Sequence, residues 1–134
     1  MQIPVILTLS VHVLSAFFWM GTTMSIARSG GFAFERLFRP QMAAALVAVL
    51  TGGYLWSLLH TGGFGAWEMC LTVGIGCAIV AAGIQGIGVG PVIRKLKSGA
   101  LAAPDAQKQA ARVHGIAGLF LAVTLICMVI GRYL

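Results

Sequence analysis

Four long apolar stretches alternate with shorter polar segments along the 134-residue chain. A transmembrane helix needs about 20 mainly apolar residues to cross a hydrocarbon core about 30 Å thick. Four stretches meet that length, and they predict spans at residues 3–27, 40–60, 67–93 and 113–131. The predicted fold class is therefore all-α, an integral membrane four-helix transmembrane bundle that forms a single domain over residues 1–134.

The segments between these spans differ in character. The first, residues 28–39, alternates aromatic residues with arginines, which is typical of a segment at the membrane interface. The second, residues 61–66, is so short that it predicts antiparallel contact between the second and third spans. The third, residues 94–112, is polar and contains a proline, and it is predicted to be a mobile loop. Pro40 suits the first turn of the second span, where a missing N–H costs nothing.

The distribution of basic residues predicts an orientation. Eight of the nine Lys and Arg residues lie either between Arg28 and Arg39 or between Arg94 and Arg112. Because cytoplasmic loops of membrane proteins are enriched in Lys and Arg, we expect both connections inside and both termini outside. With 59% hydrophobic residues, the chain is too apolar for an ordinary soluble domain. We expect a multi-pass protein of the bacterial inner (plasma) membrane.

The net charge of +6 has an explanation that needs no nucleic acid. Cationic connections between spans face anionic lipid headgroups, so membrane lipid is the expected partner and nucleic-acid binding is set aside.

Small residues recur every four positions along the third span: Gly74, Ala78, Ala82, Gly86 and Gly90. Such a stripe lets two helix backbones approach closely, which is how helices associate in lipid. A partner helix is predicted in this groove. The sequence leaves open whether that helix belongs to the same chain or to a second copy in a homodimer.

Polar side chains inside a span are costly and therefore mark candidate functional positions. The candidates are His12, His60, Glu68, Gln85 and His114. Among the histidines, the predicted depths of His12 and His60 differ by about 10 Å, which two ligands on opposite sides of a haem can bridge. His12 and His114 differ by about 17 Å and form a less favourable pair.

Three short motifs resemble a known group of proteins. The first span carries His12, Trp19 and Arg28, the second carries the run Leu50-Thr51-Gly52-Gly53-Tyr54-Leu55, and the third opens with Gly65-Ala66-Trp67. Together they resemble small four-span membrane proteins related to the J-type protoporphyrinogen IX oxidases and the copper-resistance D-type proteins. The resemblance covers most of the chain in its layout.

This resemblance implies a haem b protein, because the histidine that matches His12 ligates haem in the J-type oxidases. It implies a redox or electron-transfer role with a small membrane-soluble redox partner or a porphyrin. Two departures leave enzymatic activity open: a lysine important in that family is Leu71 here, and its Asn-Glu pair is replaced by Arg112-Val113-His114-Gly115. The chain is interpreted as a relative that keeps the cofactor scaffold, with a haem-dependent oxidoreductase as one hypothesis.

The predicted haem site has two versions. The three histidines His12, His60 and His114 are the candidate iron ligands, and Trp19, Arg28 and Arg112 are the candidate neighbours of the cofactor. An outer site on His12 and His60 leaves only Arg132 to meet the haem propionates. An inner site on His114 has Arg28 and Arg112 for the propionates but lacks a second ligand.

Two other functions are hypotheses alongside that of a haem protein. Met20, Met24, Met69 and Cys70 carry soft sulfur ligands, which suit Cu(I) and a copper-handling or transport protein. A structural or assembly subunit without a cofactor is the second, supported by the small size of the chain and the stripe of small residues.

Overall fold

The computed structural model describes residues 2–60 and 62–134, and these form four α-helices. They are α1 (Gln2–Arg28), α2 (Phe34–Leu59), α3 (Ala66–Lys97) and α4 (Ala103–Gly131). Each helix is long and apolar enough to cross a membrane. The all-α, four-helix prediction is confirmed, whereas the orientation stays a prediction. Met1 and Thr61 lie outside the described residues, and Thr61 belongs to the predicted second connection.

The helices reach beyond the predicted spans at the end of the bundle that holds the basic connections, called here the basic end. Pro40 lies inside α2 and not in its first turn, so that prediction is wrong. Helix α4 begins at Ala103, with Pro104 in its first turn, where proline is tolerated. The predicted mobile loop over residues 94–112 is therefore mostly helical. Its Lys, Arg, Gln and Ala residues are good helix formers, and a helix continues past the apolar core wherever its residues permit.

The helices pack in the order α2, α1, α4, α3. Helix α3 packs most extensively on α4, α1 packs on both α2 and α4, and α2 has only limited contact with α3. The short connection between α2 and α3 therefore joins two helices that touch but are not each other's main partners. The start of α1 and the end of α4 lie at the other end of the bundle, called here the terminal end.

Buried apolar side chains form two clusters. The first lies in the middle of the bundle and comprises Trp19, Ala45, Ala48, Ala78, Ala81, Ala117 and Leu121. The second lies at the basic end and comprises Ile26, Phe34, Val89, Val92, Ala106 and Ala110. In α1 the buried residues are Trp19, Thr23 and Ile26, all in the half of the helix nearer the basic end. Neither cluster reaches the part of the bundle nearest the termini.

The predicted stripe of small residues on α3 divides into a first part that is buried against another helix and a second part that is not. Gly74 and Ala78 are buried, and the Thr124 hydroxyl of α4 donates to the Gly74 carbonyl at 2.9 Å. A Cβ added at Gly86 or Gly90 would meet nothing within 4 Å. The partner of the first part is thus α4 of the same chain, and a homodimer contact through the second part stays a prediction.

Candidate functional site

A cavity of about 680 Å³ lies between the helices in the terminal half of the bundle. Its volume and its predominantly apolar wall are typical of a site for a small molecule or a cofactor. Helix α1 contributes Leu9, His12, Val13, Ala16, Phe17, Trp19 and Met20 to the wall, and the other three helices, with the segment that follows α4, contribute the remainder. Trp19 and Leu121 belong both to the wall and to the central apolar cluster, so that cluster closes the cavity toward the basic end.

The position of the cavity follows from the packing of α1 against α4. Gly118 is buried, and a Cβ there would lie 3.2 Å from the Met24 sulfur and 3.7 Å from Thr23 Cγ2. The two backbones therefore approach closely at this level. Nearer the termini, side chains of both helices line the cavity.

His12 is held in a defined orientation on the cavity wall. Its Nδ1 lies 2.9 Å from the Ala48 carbonyl oxygen and 3.1 Å from Thr51 Oγ1 on α2. A carbonyl oxygen only accepts hydrogen bonds, so Nδ1 carries the proton and donates to Ala48. The Nε2 lone pair is then left without a hydrogen-bond partner among residues 2–60 and 62–134. An imidazole anchored through one nitrogen, with the other available, is the state that binds metals.

A glycine on α2 makes room for the His12 ring. A Cβ at Gly52 would lie 3.1 Å from His12 Cε1, whereas a Cβ at the adjacent Gly53 would meet nothing within 4 Å. Gly52 is thus the position at which a side chain would displace the imidazole.

His60, the predicted second ligand of the outer site, does not line this cavity. Its ring stacks on Trp56 with centroids 4.9 Å apart, and its Nδ1 lies 3.6 Å from Glu68 Oε1. Glu68 also accepts the Gly65 N–H at 2.8 Å in the first turn of α3. His60 therefore packs at the connection between α2 and α3, and the structure does not bring it together with His12.

A buried polar network joins all four helices on the side of the cavity nearer the basic end. The Trp19 indole N–H donates to Gln85 Oε1 at 2.6 Å, and Gln85 Nε2 donates to Thr23 Oγ1 at 2.8 Å. Gln41 Nε2 donates to the same Thr23 hydroxyl at 3.1 Å, and Gln41 Oε1 lies 3.0 Å from His114 Nε2. All five side chains are at most 3% exposed. Satisfied networks of this kind hold a helix bundle in one arrangement.

Both ring nitrogens of His114 are occupied in this network. Nδ1 lies 2.7 Å from the Ala110 carbonyl, and Nε2 faces the Gln41 side-chain amide. With Gln41 Oε1 toward the ring, both nitrogens must carry protons. With that amide rotated by 180°, a neutral imidazole accepts its NH₂ group, and the amide oxygen faces the Thr22 and Thr23 hydroxyls. In either arrangement Nε2 is engaged and cannot ligate a metal.

The remaining predicted site residues lie in different places. Trp19 lines the cavity and donates into the polar network. Arg28 and Arg112 are exposed at the basic end, in the half of the bundle away from the cavity. The structure therefore does not assemble an inner haem site around His114.

Several residues that shape the site were not singled out from sequence. Gln41 follows Pro40 at the edge of a predicted span, where a polar residue is expected to meet water, yet it is fully buried. Thr23 and Met128 are residue types common in packed helices, and Gly52 stood out only as part of the motif that carries the resemblance. Their roles depend on neighbours from other helices, for which one sequence gives no signal.

Comparisons with protein-family models, with curated proteins and with solved structures gave no match. The resemblance to the J-type oxidases and copper-resistance proteins therefore rests on the short motifs alone. Among the described residues, no group of three or more His, Cys, Asp or Glu side chains could hold a metal ion.

Proposed function

We propose that this multi-pass membrane protein binds haem b in the terminal-half cavity, with His12 as an axial ligand, and serves electron transfer or redox chemistry. The observation that carries the proposal is the orientation of His12. Its Nδ1 is bonded to the Ala48 carbonyl, and its Nε2 is left for a metal at the cavity wall. A porphyrin supplies four nitrogen ligands itself, so one or two protein ligands suffice.

The chemistry of the cavity wall fits a haem. Apolar side chains, among them the buried Trp19, line the cavity together with His12, and an apolar wall would tune the potential of the iron. The bound group supplies a one-electron redox couple in the membrane. The protein holds it, orients it and limits access of solvent.

Arg132 is the one Lys or Arg side chain among the described residues that line the cavity, and it would be the partner of the haem carboxylates. Arg132, the C-cap residue of α4, lies at the terminal end beside the exposed Tyr133. A guanidinium forms strong paired hydrogen bonds with a carboxylate. The propionates would therefore point toward the terminal end.

The proposed setting is the bacterial inner membrane, with the basic connections in the cytoplasm and the cavity toward the outer side. Leu71 stands where the resembling oxidases have a functional lysine, and it packs near Gly131 of α4. Electron exchange with a small membrane-soluble partner is accordingly favoured over porphyrin oxidation.

Purification after expression with ample haem supply tests the proposal through the Soret absorption. The wild type should show a haem b spectrum, and His12→Ala should abolish it. His60→Ala and His114→Ala should retain the band, because neither side chain lines the cavity. A colourless wild type, or an unchanged spectrum in His12→Ala, would refute the proposal.

Two glycines provide a test pair for the same measurement. Gly52→Ala places a methyl group against the His12 ring and should weaken haem binding about tenfold or more, equivalent to about 1.4 kcal/mol. Gly76→Ala on α3 enters open space at a position that does not line the cavity, and it should bind like the wild type. Equal affinities of the two variants would contradict the assigned role of His12.

Copper handling is the second candidate because Met128 lines the same cavity as His12, with Met20 about 12 Å farther toward the basic end. Thioether and imidazole are ligands that suit Cu(I). Met24 packs on Gly118, and Met69 is 58% exposed, so these two residues do not add to that set. Competition with a Cu(I)-selective chromogenic chelator, using wild type and His12→Ala, tests this alternative.

A further inference from the structure

We infer that Met128 of α4 is the second axial ligand of the haem, on the side of the iron opposite His12. This inference rests on the proposed function. It names a residue that neither the histidine pattern nor the resemblance indicates.

The depth of Met128 in the bundle matches that of His12. Gly118 and Thr23 face each other across the contact between α1 and α4, and the two helices run antiparallel. At 1.5 Å per residue, His12 lies about 16 Å beyond this contact toward the termini and Met128 about 15 Å beyond it. The backbone positions of His12 and Met128 therefore lie at nearly the same depth in the bundle.

Met128 also belongs to the face of α4 that lines the cavity. Leu121, Leu125, Met128 and Arg132 recur at intervals of four, three and four residues, as expected for one helical face. Met128 is half-buried in this wall. A flexible thioether at the level of His12, on a different helix, suits an iron ligand across a planar cofactor.

Other donors in the wall are less suited to face His12. Met20 is on the same helix as His12 and about 12 Å farther toward the basic end, so the two cannot lie on opposite sides of one iron. The backbone of Tyr133 lies about 7 Å nearer the terminal end than that of Met128. The Thr124 hydroxyl is already bonded to the Gly74 carbonyl. Among the wall residues at the depth of His12, Met128 therefore offers the side-chain atom best suited to bind the iron.

His-Met ligation has spectroscopic consequences that do not depend on an enzymatic assay. Two strong axial ligands keep the iron six-coordinate and low-spin, and a methionine ligand raises the reduction potential relative to a second histidine. Loss of the methionine should leave a five-coordinate, high-spin haem still held by His12.

The test compares Met128→Leu with Met20→Leu, since leucine nearly conserves the volume of methionine. Met128→Leu should keep a Soret band, become high-spin, bind carbon monoxide readily when reduced, and lose the high potential. Met20→Leu should remain low-spin. Met128→His should restore a low-spin spectrum at a lower potential than the wild type.

The outcomes separate this inference from the proposed function. A wild type that binds haem, together with a Met128→Leu variant that keeps the wild-type spectrum and potential, overturns the ligand assignment and leaves the haem proposal standing. A wild type without a Soret band overturns both.

Discussion

His12 and His114 illustrate how the neighbours of a side chain decide its chemistry. Both are single histidines in apolar helices, and each has one ring nitrogen near a backbone carbonyl. At His12 the second nitrogen has no hydrogen-bond partner among the described residues and lies at the wall of a cavity, whereas at His114 it faces the Gln41 amide. The first histidine is available as a ligand, and the second is a structural member of a polar network.

Gln41→Met should destabilise the bundle, because it removes the partner of the His114 ring and one donor to Thr23 while nearly keeping the side-chain volume. We expect a loss of about 1–2 kcal/mol, the range for buried hydrogen bonds in proteins and membranes. Thermal unfolding followed by circular dichroism in mild detergent measures the effect. Gln109→Met, at an exposed position of α4, is the control and should change the midpoint little. Equal midpoints for both variants would show that the network contributes no net stability.

At the scale of the helices, the close approach of α3 to α4 depends on a glycine outside the predicted stripe. A Cβ at Gly88 would lie 2.8 Å from Val113 Cγ1 and 3.0 Å from Cγ2. Valine is β-branched and cannot turn both methyl groups away. Gly88 is therefore the position on α3 where a side chain would most directly separate the two helices.

Gly88→Ala should lower stability by about 1–2 kcal/mol, since overpacking outweighs the helix propensity gained from alanine. Gly86→Ala is the matched control two residues away, where an added Cβ meets nothing within 4 Å. That variant should be as stable as the wild type or more stable. The midpoints of thermal unfolding of the three proteins test this order, and a less stable Gly86→Ala would favour a second helix against that surface.

The ends of the helices show what hydropathy does and does not predict. The apolar runs located all four helices, since each must satisfy its own backbone hydrogen bonds in lipid. They placed the start of α4 too late because Ala103–Arg112 is polar yet helical. Hydropathy reports the thickness of the apolar layer, and helix length depends also on propensity and capping beyond it.

At the scale of the whole molecule, the basic connections predict the orientation in the membrane. We expect a cysteine at Ser98 to react with a membrane-impermeant maleimide from the cytoplasmic side and a cysteine at Gly63 to react from outside. The background variant should carry alanine at Cys70, Cys77 and Cys127, which are half-buried thiols. The reverse labelling pattern would invert the orientation and place the cavity toward the cytoplasm.

The number and type of helices followed from the sequence because about 20 apolar residues in a row have few stable forms in lipid. His12 also stood out in the sequence, since a polar group inside an apolar helix is costly without a partner. The tertiary structure alone decided which histidine is available. The partner of His12 is Ala48, 36 residues away, and the partner of His114 is Gln41, 73 residues away. Such pairings depend on how helices pack and rotate against one another, and the periodicity of a single helix carries no record of them.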